Sequence, residues 1–527
     1  MDSRAGTRDR HRGASRPIRL ALLGCLALGA LLWPAAGSAE AAPCTSTPLS
    51  PTETNYTCNI PTGTIGGYEV RQWVNGAPTP QGNGHITHME TDVIDADTGQ
   101  PVPISRLMLH HIVFLNLNRQ DSTCSSYAGF DGHNDFGNFA PQRFYAAGEE
   151  RMKLSMPAGY GYPTSSTDNW VVLAMVMNHR SSADHALIHY SVTVDTNPMT
   201  DVTPYWLDVR DCRADPIYNV PGVAKAKAKK AKKHKANDSG HKGKKHGKKK
   251  KKHRRAKPAP VQDETRDYVF PESGRIVAGA GHVHGGAIDL SLTEPGCGNR
   301  EIARSVPTWG LPDHPFYNVK PILHEPGPIS MSGFRSTQGI PVNAGETIRL
   351  NSVYDDSRPH VRVMGIFPVY LAPDSSVTQN CEPLPLLDVL KTDQPGRSGP
   401  IPFTIPLTGL DAQGQATVID APPGAIQNAS SGTTIPVGDR FFANPSLRVR
   451  KGSTLTWQFS GNELHNVTLA NGPRGIGSDN LDGGRTFSQK FDRPGTYRLF
   501  CALHPVQMQE RVIVTDPSKH KKKKKKR

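Results

Sequence analysis

Apolar residues are scarce in this chain. Of its 527 residues only 36% are hydrophobic and 7% aromatic. Apart from one short run near the N-terminus, no stretch approaches the ~20 apolar residues a membrane-spanning helix needs. The apolar residues never recur convincingly at the 3.6-residue period, so helices are not expected to build the fold. Several chemical motifs are missing as well. There is no glycine-rich phosphate loop, no Ser-His-Asp arrangement in plausible context and no zinc-type cysteine cluster. Nucleotide, serine-hydrolase and structural-zinc chemistry therefore have no foothold.

The one apolar run, "LALLGCLALGALLW", follows six arginines between Arg4 and Arg19 and precedes the small-residue stretch "AGSAEAA". It reads as a secretory signal peptide over residues 1–42, cleaved near Ala41 or Ala42. The product is expected to be secreted or extracytoplasmic, in the cell envelope. Formal net charge is +15, unevenly spread. About 18 Lys/Arg face the single acid Asp238 between Ala224 and Lys257, and about 8 more crowd the last ten residues. Without these runs and the N-terminal 42 residues, which carry a net charge of about +3, the remaining chain is negative by about 13 charges. Such basic runs repel themselves and bury nothing, so residues 223–262 and 517–527 are read as a disordered insert and tail. They suit an anionic envelope polymer or a membrane surface. No aromatics interleave with the lysines, so a specific nucleic-acid partner is not expected. His234, His241, His246 and His253 in the insert could bind metal only loosely.

Cysteine is sparse and its count is odd. Eight cysteines minus Cys25 of the apolar run leave seven. In an exported chain most should pair. Cys44–Cys58 is the most local pair. Cys124–Cys212 is expected to close a first domain and Cys297–Cys381 a second. Cys501 is left over, and it alone has a histidine and a methionine close by in sequence.

From about Thr433 onward, "LRVRKGSTLTWQF", "NVTLA", "TFSQKF" and "GTYRLFC" read as short alternating strands separated by Gly- and Asp-rich turns. A small β-sandwich over 431–516 is expected. His465 ends one strand in this reading, and Cys501, His504 and Met508 lie on a loop between two others. A thiolate, two imidazoles and a weak axial thioether make the ligand set of a type 1 (blue) copper site. The "Cys-x-x-His" and "Met-x-x-x-Val-x-Val" patterns resemble the plastocyanin and azurin family, the cupredoxins. The gap from His504 to Met508 is one residue shorter than in plastocyanin. The resemblance implies a Greek-key β-sandwich and electron transfer.

Three histidine groups mark the preceding two-thirds: "GNGHITHME" with His85 and His88, "SRLMLHHIVFLN" with His110 and His111, and "GAGHVHGGAIDLSL" with His282 and His284. Their surroundings alternate, giving two β-sandwiches over 43–222 and 263–375, followed by a Pro/Gly/Ser/Thr-rich linker over 376–430. His282 and His284, two apart on a strand, share a face. His110 and His111 are adjacent, so both can reach one ion only if the strand bulges or twists there. The alternative is one structural histidine beside one ligand.

"LHHIVF", "HVH" and the methionine of "HVRVMGIF" together resemble the copper type II, ascorbate-dependent monooxygenases. That family has two jelly-roll-like sandwiches, each holding one copper. The resemblance implies an oxygen-activating copper at His282, His284 and Met364. It also implies an electron-receiving copper at His110 and His111. No histidine aligns without gaps with the third ligand of that second site; His179 is favoured there, with His189 as the alternative. His85 and His360 are candidates for supporting positions. "GHITHMETDVIDADTGQPVPISRLMLHH", "GHVHGGAIDLSL" and "GETIRLNSVYDDSRPHVRVMGIF" resemble the stress-up-regulated nodulin family over most of Gly84–Ala372.

The expectation is thus an all-β copper protein of two jelly-roll-like sandwiches and a cupredoxin, with one type 1 copper and up to two further coppers. It would act as an oxidoreductase of monooxygenase type fed by a redox partner or a small-molecule reductant. Two alternatives stay open. One is a non-enzymatic copper-binding, electron-transfer protein of the envelope with the sandwiches as scaffold. The other is an envelope-attached polyanion-binding protein.

Overall fold

Strand after strand buries every second residue, the period-2 pattern of a sheet with one face on a core. Thr347–Asp355 and Thr454–Phe459 alternate without a break. Trp170–Asn178 is buried on both faces, in keeping with its central place in a sheet. The computed structural model describes residues 44–127, 139–210, 212–213, 215–223 and 259–517. The expected signal peptide, the lysine-rich run from 224 to 258 with its four histidines, and the basic tail from 518 lie outside the described residues. Among the described residues the helical elements are two short 3-10 turns, Pro295–Cys297 and Pro315–Asn318. No helix there is long and apolar enough to cross a membrane.

The first sandwich faces one sheet, built on Glu53–Ile65, Asp184–Asp195 and Gly84–Asp95, against a second. That second sheet runs Val70–Ala77, Trp170–Asn178, Leu107–Gln120, Pro141–Gly148. The second sandwich pairs Val261–Val269, Thr347–Asp355, Ala287–Glu294 and Arg300–Ser305 in one sheet. Its other sheet runs Thr203–Asp208, Gly365–Pro373, Gly274–Ala280, Gly333–Val342, Asp388–Leu390. Thr203–Asp208 was expected in the first sandwich, yet all six of its residues pair with Gly365–Pro373 of the second. The seam between the sandwiches thus falls near Val202. Sequence hides this because the lysine-rich run, a natural-looking boundary, interrupts the second sandwich after its first strands.

The C-terminal sandwich has one sheet ordered Gln427–Asn428, Ser446–Arg450, His504–Thr515, Gly495–Cys501, Thr468–Asn471. The other is ordered Phe441–Phe442, Thr433–Gly438, Thr454–Phe459, Thr486–Lys490. The turn at Lys451–Gly452 does not make a hairpin. Ser446–Arg450 joins one sheet and Thr454–Phe459 the other, each by a parallel pairing. Gly452 has φ +93°, the left-handed region that favours glycine at such a crossing. The segment 376–430 is strapped down rather than free. Asp388–Leu390 adds an edge strand to the second sandwich, and Ile405 and Leu407 pack with Ala470 and Phe500 of the C-terminal one.

Two apolar cores dominate. One fills the first sandwich and takes Val277, Ala278, Tyr370 and Ala372 from the second. The other runs from the second sandwich without interruption into the C-terminal one. The disulfides are Cys44–Cys58, Cys124–Cys212 and Cys297–Cys381, with Cys501 free and buried. Because Cys212 follows the strand Thr203–Asp208, its bridge to Cys124 fastens the second sandwich to the first instead of closing the first alone.

Candidate metal centres

The C-terminal group is built around a two-residue turn. Cys501 and His504 pair across it, at the end of Gly495–Cys501 and the start of His504–Thr515. His504 and Met508 therefore sit on the strand itself, not on a preceding loop, and His465 lies ahead of Thr468–Asn471 in a bridge to Leu481. Cys501 Sγ is 4.0 Å from His465 Nδ1 and 3.7 Å from His504 Nδ1. Both imidazoles turn Nε2 to a carboxylate, His465 to Asp439 at 3.4 Å and His504 to Glu463 at 3.1 Å. A carboxylate acceptor on the far side of the ring fixes its orientation and leaves the opposite nitrogen for a metal. Asn466 N donates to Cys501 Sγ at 3.3 Å. Met508 is fully buried in the same apolar core as Cys501. Burial, then the neighbouring His465, lowers His504 to about 4, so its ring is neutral at physiological pH. Burial also pushes the Cys501 thiol up. A thiol that hard to ionise in a dry site is at odds with nucleophilic catalysis and suits a ligand deprotonated by metal binding. The donor set and its anchoring fit copper.

The other histidines converge at the seam of the two sandwiches. The strand Leu107–Gln120 bulges between Leu109 and His111, as the adjacent pair requires. This brings His110 Nδ1 and His111 Nδ1 to 3.2 Å. The rings of His110 and His284 are 5.0 Å apart, and those of His282 and His284 5.1 Å. His282 Nδ1 faces Glu150 at 3.1 Å, and His284 Nδ1 donates to the Arg362 carbonyl at 2.9 Å. In both residues Nε2 is buried without a hydrogen-bond partner. Met364 is buried and lines a small cavity together with His111, His282 and Glu150. Burial holds His110 well below the usual histidine range, helped by the His284 ring; burial, then His282, takes both His111 and His284 to about 3. His282 is the exception: burial pulls it down, but the Glu150 carboxylate overrides that and raises it.

The remaining candidates are placed as follows. His179 is buried beside His324, ring centres 6.4 Å apart, with Nδ1 on the Pro321 carbonyl. His189 lies in the other sheet from His110 and His111, with Nδ1 2.8 Å from the side-chain oxygen of Asn59, its pairing partner on the adjacent strand. His85 pairs with Asp201. His360 is buried against Glu325, with Nε2 unpartnered. Sequence reasoning missed Glu149, Glu150, Glu325 and His324, none of which gave a local signal.

A hydrogen-bonded chain joins the two groups. Asn466, whose N–H reaches Cys501 Sγ, donates its side-chain amide to Asn480 Oδ1 at 2.9 Å. The Arg362 guanidinium donates to the same oxygen at 2.9 Å, and the Arg362 carbonyl accepts the hydrogen bond of His284 Nδ1–H. A narrow cavity of about 70 Å³ follows the same seam, lined by His110, His284 and Met364 and by Thr468, Phe500 and Ala502.

Comparison with known proteins places both halves. The model of a family described as Stress up-regulated Nod 19 matches residues 203–374, starting at the first strand of the second sandwich. One described as copper binding proteins, plastocyanin/azurin family, matches residues 430–515. Amicyanin-alpha of Methylorubrum extorquens is 34% identical over 94 residues, 17% of this chain and 78% of that protein. Among solved structures, a purple cupredoxin from Nitrosopumilus maritimus is 23% identical over 16% of this chain and 99% of that one, with a TM-score of 0.15. The reduced Cu(I) form of an amicyanin mutant at pH 4 is 25% identical over 16% and 86% of the two chains, TM-score 0.15.

Proposed function

Since this chain belongs, through residues 430–515, to the plastocyanin/azurin family of copper-binding proteins, we propose that its blue-copper domain serves the histidine-rich seam as the electron-transfer end of an exported oxidoreductase. Copper held by His465, Cys501, His504 and Met508 supplies one-electron redox chemistry. The protein's own part is to position and to insulate. Glu463 and Asp439 hold the two imidazoles in orientation. Burial of Cys501 and Met508 keeps water from the sulfur atoms.

The observation that carries the proposal is the hydrogen-bonded chain from Cys501 through Asn466, Asn480 and Arg362 to His284. It ends on an imidazole whose other nitrogen is buried and unpartnered, in a cluster with His110, His111 and His282. Met364, on the cavity wall with His111 and His282, supplies the thioether that a monooxygenase-type copper would use in the reduced state. Three disulfides suit an oxidising compartment outside the cytoplasm. The lysine-rich insert and tail would hold the protein at an anionic surface; binding to anionic vesicles that vanishes at high salt would support that part.

The test is colour return. The copper-loaded full chain is bleached with a reductant, then mixed with air, and the visible band is followed. In His282→Ala/His284→Ala the band should return at least tenfold more slowly than in wild type. Equal rates would leave the C-terminal domain a simple carrier and the sandwiches a scaffold.

A further inference from the structure

Glu149 stands where three separate chain segments meet, and neither histidine pair accounts for it. It follows the strand Pro141–Gly148 in the first sandwich. Its Oε1 lies 2.8 Å from His324 Nε2, on the Pro-rich loop of the second sandwich, and 3.7 Å from His110 Nε2. Its Oε2 accepts the Gly327 N–H at 2.7 Å, which locks the carboxylate in that orientation. The three ligand atoms lie within 4.8 Å of one another.

We propose that His110, His324 and Glu149 form a metal site of two imidazoles and one carboxylate, taking a divalent first-row ion with open positions. Hydrogen bonding alone leaves the group unfinished. A proton on His324 Nε2 satisfies its contact with Glu149, but His110 Nε2 then faces the same oxygen at 3.7 Å, too far for a hydrogen bond. An ion with bonds of about 2.1 Å sets neighbouring ligand atoms about 3.0–3.4 Å apart, between the two separations observed. The ligand set holds no sulfur, unlike the Cys501 group. Two nitrogens and an oxygen with vacant positions suit borderline divalent ions such as Fe(II) or Zn(II). His110 and His324 both line the narrow seam cavity, so the vacant positions can open onto it. The site does not depend on electron flow from the C-terminal domain.

Co(II) is the probe, in a Cys501→Ser background that removes thiolate binding. The Cys501→Ser chain should take up Co(II) with visible d–d absorption and no thiolate charge-transfer band. Adding Glu149→Gln, which keeps an acceptor for Gly327, should weaken Co(II) binding at least tenfold, and His324→Ala should do the same. Melting of the metal-free variants reports on their fold. No Co(II) uptake by the Cys501→Ser chain overturns the proposal, whatever the variants do. Unchanged Co(II) affinity in a folded Glu149→Gln or His324→Ala protein overturns it too, making Glu149–His324 a structural hydrogen bond.

Discussion

Glu510 is a buried acid whose stability cost can be worked out. It lies on His504–Thr515 with its side chain turned into the C-terminal sandwich, and none of it is exposed. Oε2 accepts from Trp457 Nε1 at 2.9 Å, and Oε1 has no partner. Burial pushes its carboxyl from 4.5 up to about 8, with the Trp457 bond offsetting part of the rise. Between those values the folded state keeps a proton that the unfolded state gives up. Stability is therefore fully present below about 4.5 and declines as pH climbs towards 8. At pH 7 the decline is on the order of 3 kcal/mol, at about 1.4 kcal/mol per unit. Glu510→Gln is neutral at every pH, fits the same space and still offers Trp457 an oxygen. The two proteins should melt within a few degrees of each other near pH 5, and the variant should melt higher by roughly 9–18 °C near pH 8, where the decline reaches about 4.5 kcal/mol, using 2–4 °C per kcal/mol for a large cooperative unit. The assay is scanning calorimetry of the metal-free full chain from pH 5 to 8, which removes the separate pH dependence of metal binding. A melting difference that stays flat over that range would refute the reasoning.

Other predictions are simpler. Cys501→Ser should abolish the visible charge-transfer band of the copper-loaded protein, while non-reducing peptide mapping still finds all three disulfides; a bridge to Cys501 in loaded wild type would contradict its role as a ligand. Met364→Leu keeps apolar volume beside Val113 and Ile366 and should change stability by under ~1.5 kcal/mol, yet lower Cu(I) binding measured by chelator competition; an equal loss of both would make Met364 a core residue only. Replacing Cys124 and Cys212 together by alanine opens a loop of 88 residues and should destabilise by on the order of 4–5 kcal/mol in the chain-entropy model, seen as lower melting of both sandwiches rather than the first alone.

The C-terminal group was readable because its chemistry is compressed. Cys501, His504 and Met508 fall within eight residues, and the strands around them alternate plainly. Their strand placement was not readable: the two-residue turn is too short to show in a pattern. The histidine seam was half readable. "LHH" and "HVH" announce themselves by composition. Glu149 and His324 are 175 residues apart in sequence and meet only because the Pro-rich loop of the second sandwich folds onto the end of a strand of the first. A single carboxylate in a chain with 47 acidic residues carries no signal of that meeting. The boundary near Val202 was hidden for a related reason. Composition marks the lysine run, whereas hydrogen bonding assigns Thr203–Asp208 to the strands beyond it.

The bulge at His110 ties these points together. On a regular strand, neighbours point to opposite faces, and one of the two histidines would have faced away from the seam. The extra residue between Leu109 and His111 turns both imidazoles towards each other, with Nδ1 atoms 3.2 Å apart. It leaves His110 Nε2 towards Glu149 and sets the His111 ring on the cavity shared with His282 and Met364. One local irregularity thus lets a single strand serve two neighbouring groups of candidate ligands. The rings of His110 and His284 are then 5.0 Å apart, so the two groups adjoin across the seam instead of facing each other over a wide cleft. An electron delivered to His284 along the Arg362 chain would have only that ring contact left to cross before reaching His110.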